Sequence, residues 1–329
     1  MRSAICARLV ECAPIGGSVR PYLLERQQAH GEEEGARDSR HISLVSASEI
    51  GLSGIWRILP CARGFRSRQM RDLLSCRGDW TYIAVMERQI EAWQELRRLN
   101  KLMQRLEDRY PFVRAFSRLE SKTSCSLDGY DASLEDVLSY PERYIIERRR
   151  TVGSERAILN YLYTLEYGTV MVRGGQPLDW KFVRELHWQL CDGLTAAEPV
   201  LVAPRKMASG TMDDLFAWWD NNDVADSAID DIIWFHYRFL ALRPFAQGTG
   251  RMSRLLLLLQ LIARGLLHGP ILTMSVWLEG NIAEYRTCLD EAILRRNEQP
   301  LLMFFHDGFS DCAGAACNSI ISHSDSYRM

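Results

Sequence analysis

Residues 243–254 read RPFAQGTGRMSR, and these are residue types with which a protein holds an anion. Gly248 and Gly250 permit backbone conformations and close approaches that a side chain would block, so the segment suits a tight loop. Pro244 fixes the backbone at the exit of the preceding segment. The apolar run Leu255–Leu259, resumed over Leu261–Ala263, follows at once and predicts a helix beginning near Gly250 and Arg251. The unpaired N–H groups at that helix start would face whatever the loop encloses, and Arg251 and Arg254, three apart, share a face there. Helix N–H groups joined by two guanidinium forks suit a polyphosphate. The same spacing also fits an interhelical turn whose arginines pair with surface acids.

The elements that must position these residues read as helices almost throughout. Ile90, Trp93, Leu96, Leu99, Met103 and Leu106 recur at helical steps, and Pro111 ends or restarts that pattern. SLED at 133–136 opens another helix as a capping box would. Ser154 is the expected cap, and Gly168 the expected stop, of the next; Asp179 and Gly193 fill those places in the one after. The stretches 210–222, 228–242, 281–296 and 299–320 are again helical in pattern, whereas EPVLVAPRKM at 198–207 allows edge strands at most. The basic run ERYIIERRR at 142–150 reads as a solvated helix face. The expected class is all-α with at most a small β-hairpin. Residues 1–85 lack periodicity and are expected to be poorly ordered, 86–120 form an N-terminal helical segment, 121–310 the main domain and 311–329 a C-terminal tail.

Composition narrows the function. A formal net charge of -2 over 329 residues argues against a nucleic-acid partner, and the longest apolar run is too short to cross a membrane. Nine cysteines are scattered without a CxxC pair, as in a reduced, cytoplasmic protein. The apolar start is broken by Arg8 and Glu11, which is poor material for an export signal.

The 243–254 stretch resembles the signature of the Fic family (Fido fold), in which His-Pro-Phe, any residue and Asp or Glu lead into Gly-Asn-Gly-Arg, two residues of any kind and Arg. Pro244, Phe245, Gly248, Gly250, Arg251 and Arg254 match in register, while Arg243, Gln247 and Thr249 stand in for the histidine, the acid and the asparagine. The similarity spans about 120–310, including the helix around His236 and the segment carrying Tyr285. It implies a Fic-type helical domain related to enzymes that transfer AMP from ATP to protein hydroxyl groups. On that resemblance Gln247, Gly248, Thr249, Gly250, Arg251 and Arg254 would hold ATP or another nucleotide. Arg243 occupies the position of the catalytic base, which a guanidinium cannot be because it stays protonated. Gln247 could give Mg2+ a neutral oxygen only, so a metal would bind weakly.

Two further readings follow from the resemblance. Ser124, Asp128 and Gly129 fit the spacing of the family's inhibitory helix, with Asp128 one methylene shorter than the usual glutamate. Val200–Met207 falls at the flap that receives a target protein by strand addition. His236 and His187 read as structural rather than as replacement bases. The expected function is therefore a nucleotide-binding Fic-like protein in which the usual transfer is slow or absent. Two alternatives stand beside it: a transferase with a non-standard base, and an interaction pseudoenzyme without nucleotide. Oligomeric state is left open.

Overall fold

A computed structural model of the chain describes residues 80–194, 211–222 and 228–326. Residues 1–79 of the expected N-terminal region, and the whole of Val200–Met207, lie outside the described residues. Every regular element among those described is a helix. In chain order these are α1 (Trp80–Arg105), α2 (Tyr110–Ser126), α3 (Leu134–Ser139), α4 (Glu142–Ile146), a 3-10 turn (Arg148–Arg150), α5 (Gly153–Arg173), α6 (Trp180–Cys191), α7 (Met212–Asn221), α8 (Ala228–Leu242), α9 (Thr249–Ala263), α10 (Met274–Gly280), α11 (Ile282–Arg295) and α12 (Gln299–Ser326).

Local chemistry sets many of the helix starts. Pro111 sits in the first turn of α2, where its missing N–H costs nothing. The Ser133 side chain accepts from Asp136 N–H to open α3, and Asp179 accepts from Phe182 N–H to open α6. Thr211 and Asp214 form a reciprocal capping box at α7. The expected cap and stop of α5 are both corrected. That helix begins at Gly153 without a side-chain cap, so Ser154 lies inside its first turn. Gly168 lies within the helix, and a Cβ there would come 2.7 Å from Leu259 Cδ1. It is a glycine of close helix approach, which lets α5 and α9 meet.

The core forms around α9, which is buried on all sides from Arg251 to Ile262 and packs against α5 and α8. α2 lies on α5, and α1 runs along α12 with Ala92, Leu96, Leu99 and Met103 buried. Ile90, expected in that apolar stripe, stays at the surface. Residues 120 and 310 fall inside α2 and α12, so the expected boundaries of a 121–310 domain cut through continuous helices. The described residues all belong to one compact unit.

The 142–150 run departs from a plain solvated face. Arg149 and Arg150 are exposed, but Arg148 is buried with its guanidinium 3.5 Å from the centroid of the Tyr163 ring. Among the described residues no helix is long and apolar enough to cross a membrane, and Cys125, Cys191, Cys288, Cys312 and Cys317 are free thiols.

Candidate anion site at the start of α9

α8 ends at Leu242, and Arg243 then adopts a left-handed backbone (φ 46°), a conformation that costs a non-glycine residue about 1–2 kcal/mol. Its side chain is exposed and makes no hydrogen bond or ion pair among the described residues. The chain then dives inward. Phe245 is 2% exposed, lying flat on the His187 ring at 3.5 Å between centroids and stacking on Trp180 at 5.5 Å. Burial lowers the His187 pKa to about 4, so the ring is neutral, and its Nε2–H donates to the Gln247 carbonyl at 2.9 Å. His187 thus braces the back of the loop.

Gly248 takes the N-cap position of α9 with φ 73°, and a Cβ on it would meet Cys191 Sγ at 3.1 Å and Arg251 Nη2 at 3.4 Å. α9 starts at Thr249, slightly earlier than the apolar pattern suggests. The Thr249 hydroxyl donates to the Phe245 carbonyl at 3.0 Å. That hydroxyl hydrogen therefore braces the loop from within.

The two arginines meet the turn that closes α2. Arg254 donates from Nε to Ser124 Oγ at 2.8 Å, and from Nη2 to the Ser124 carbonyl at 2.7 Å and to Asp128 Oδ1 at 2.8 Å. Arg251 donates from Nε to Asp128 Oδ2 at 3.2 Å, and its guanidinium lies 4.8 Å from the Tyr130 ring centroid. Both side chains are almost wholly buried, yet Arg251 Nη1 has no hydrogen-bond partner. Burial lowers the pKa of Arg254, but the charge and hydrogen bond of Asp128, joined by Tyr161 and Tyr285, turn the net shift upward. Gly250 leaves room for these groups, since a Cβ would lie 3.0 Å from Arg254 Nη1 and 3.2 Å from Asp128 Oδ1 and would crowd the ion pair. Gly129, at φ +87°, turns the chain just beyond Asp128.

The structure therefore brings Ser124, Asp128, Gly250, Arg251 and Arg254 into one cluster and keeps Arg243 out of its bonding. Asp128 reaches both guanidinium groups despite its shorter side chain. Below the cluster, His236 is buried, its pKa lowered to about 3 by burial, and its Nε2 pairs with Tyr285 Oη at 2.9 Å. The ring is packed in the core and engaged by Tyr285, with its nitrogens turned to the protein interior. Tyr130 and a buried Glu120 beneath the cluster carried no signal in the spacing. Their partners lie far off in the chain, as with Glu120 and Ser275.

Residues 177–261 match the Fic/DOC family, and residues 86–170 match its N-terminal region. The chain belongs to the Fic/DOC family. The Fic match holds the loop and both arginines, while the N-terminal match holds α2 and Asp128, so the Asp128 ion pairs join the two regions. Solved Fic structures share the fold. A Fic family protein from Desulfovibrio desulfuricans superposes with a TM-score of 0.56 at 20% identity, covering 72% of this chain and 74% of that one. Fic-1 from C. elegans gives 0.53 at 17% identity, with 73% of each chain covered. A Fic domain containing signaling protein from Bacteroides thetaiotaomicron gives 0.53 at 18% identity, covering 70% of this chain and 98% of that one. At these identities the likeness carries the all-α Fic fold and nothing finer.

Proposed function

We propose that the start of α9 is a nucleotide site that holds the phosphates of ATP through Arg251 and Arg254, and that it transfers AMP slowly or not at all by the usual Fic route. The observation that carries this reading is Arg251 Nη1, a buried cationic donor left without a partner beside two glycines. An unmade hydrogen bond on a buried charged group is costly, and a phosphate oxygen supplies what it lacks. The helix start itself adds a partial positive charge through the dipole of α9.

Transfer needs a group that takes the proton from the attacking hydroxyl as its oxygen bonds to the α-phosphorus and pyrophosphate leaves. Arg243, in the histidine's place, is permanently protonated and cannot accept it. Fic family enzymes use ATP and typically a divalent metal. Here Gln247 would offer Mg2+ a neutral amide oxygen, and among the described residues no group of three His, Cys, Asp or Glu side chains could hold a metal. The residues present thus fit a metal carried in by the phosphates better than one resident in the protein. In this reading Asp128 is the inhibitory acid, occupying the guanidinium groups that a nucleotide must claim. A target protein would dock near Val200–Met207.

The test is ATP binding to the full chain by equilibrium dialysis. Arg251→Ala is expected to weaken binding about tenfold or more, the worth of one charge-assisted bond. Equal binding by the two proteins overturns the proposal.

A further inference from the structure

We propose that Glu120 makes occupancy of the arginine site proton-linked, so that an anion held at Arg254 draws a proton onto the Glu120 carboxylate. The inference rests on the anion-site reading above and adds its regulation.

Glu120 lies on α2 one turn before Ser124 and two before Asp128, and it is 1% exposed. Ser275 donates to it twice, from N–H to Oε2 at 2.9 Å and from Oγ to Oε1 at 2.5 Å, and the Tyr161 hydroxyl reaches Oε1 at 3.5 Å. Ser124, one turn further along α2, accepts from Arg254 Nε through its Oγ at 2.8 Å, so Glu120 and the guanidinium approach the same turn of the helix. The Glu120 carboxylate is thus a buried acceptor whose well-formed bonds both come from Ser275, one helical turn from the Ser124 that Arg254 grips.

Arg254 thus serves two acids, Asp128 by a direct hydrogen bond and Glu120 through its charge. A phosphate chain that displaces Asp128 puts more negative charge against the same guanidinium. The ionised Glu120 then becomes harder to maintain, because a like charge nearby favours the neutral form. By linkage the dependence is mutual, and protonation of Glu120 strengthens anion binding.

The surroundings leave Glu120 as the titrating group of this network. Burial lifts its pKa to about 7, with the Ser275 bonds and the Arg254 charge opposing. Cys125 on the same helix and Cys312 from α12 are pushed up to about 12, and Tyr161 from α5 and Tyr285 from α11 are raised above their ordinary value. His236 from α8 falls to about 3. Arg254 from α9 is shifted upward, Arg251 beside it is the second guanidinium that Asp128 binds, Asp128 is the acid the anion replaces, and Ser275 from α10 is uncharged. Glu166, also raised to about 7, feels Glu142 and Arg118 instead.

The experiment titrates pyrophosphate calorimetrically into the full-length chain from pH about 6 to about 8.5. Asp128→Ala opens the site in both proteins compared, one of which also carries Glu120→Gln. The proton equilibria of pyrophosphate are common to both. The protein retaining Glu120 is expected to lose about tenfold more affinity across that range, the effect of a one-unit rise in the carboxyl pKa on binding, and Glu120→Asp to restore the dependence. Equal pH profiles overturn the linkage while leaving the anion site standing. Absence of pyrophosphate binding in both overturns the site and the linkage together. As a check free of substitutions, the Glu120 carboxyl carbon in the wild-type chain is followed by NMR, and its titration midpoint should move to higher pH with saturating pyrophosphate. An unmoved midpoint contradicts the proposal.

Discussion

Asp128 holds Arg251 and Arg254 at once, with Oδ2 3.2 Å from Arg251 Nε and Oδ1 2.8 Å from Arg254 Nη2. One acid from the turn after α2 thereby compensates two buried cations at the start of α9. Any anion entering the site must take over that compensation, which ties ligand binding to the position of α2.

Removing the acid should expose the cost of the cations. Asp128→Ala is expected to lower stability by about 3–5 kcal/mol, the usual penalty for orphaning a buried charge. Pyrophosphate should return part of the loss by binding the folded state. Urea unfolding with and without pyrophosphate measures both effects. Unchanged stability would mean that water already satisfies the arginines.

Glu120 should leave a pH signature on folding. Its folded pKa, about 7, lies above the ordinary carboxyl value of 4.5 because of burial, so the fold favours the protonated form. The associated stabilisation is complete below pH about 4.5 and is lost as pH rises through about 7, by up to about 3 kcal/mol. Glu120→Gln, neutral throughout, should therefore show a smaller fall in stability between pH about 6 and about 8 than wild type. Parallel declines in denaturant midpoint would refute the assignment.

The α5–α9 contact has its own test. Gly168→Ala places a Cβ 2.7 Å from Leu259 Cδ1, and Leu259 is fully buried with little room to retreat. Overpacking of this kind costs about 1–3 kcal/mol and should lower the melting temperature. An unshifted melt would show that Leu259 repacks freely.

Transfer of labelled α-phosphate from ATP onto protein should be slow for the wild-type chain, since loss of a general base costs about 10²–10⁴-fold. Arg243→His with Gln247→Asp and Thr249→Asn, in an Asp128→Ala background, should raise it. Rapid wild-type labelling that survives Arg243→Ala would place the base elsewhere.

Much of this was legible in residue types and spacing. Gly248, Gly250 and the arginines are near neighbours in the chain, so the loop and the buried α9 could be read locally, as could the Asp179 cap. Gly168 could not, because a glycine that ends a helix and one that admits a neighbouring helix look alike until Leu259 is in place. Arg148 looked solvated for a similar reason, its cover being the distant Tyr163 ring. The reach of Asp128 depended on how closely α2 approaches α9, which side-chain length alone does not fix. Glu120 was silent because a buried carboxylate is recognised by its partners, and its closest, Ser275, is 155 residues away.

The most direct test of the account is a calorimetric titration of ATP into the full-length wild-type chain, Asp128→Ala, and Asp128→Ala combined with Arg254→Ala. If Asp128 occupies the guanidinium groups that a nucleotide must claim, Asp128→Ala should bind ATP about tenfold or more tightly than wild type, and adding Arg254→Ala should abolish that gain. Equal affinities across the three proteins, or no heat from any of them, would contradict the claim that the start of α9 is a nucleotide site held closed by Asp128.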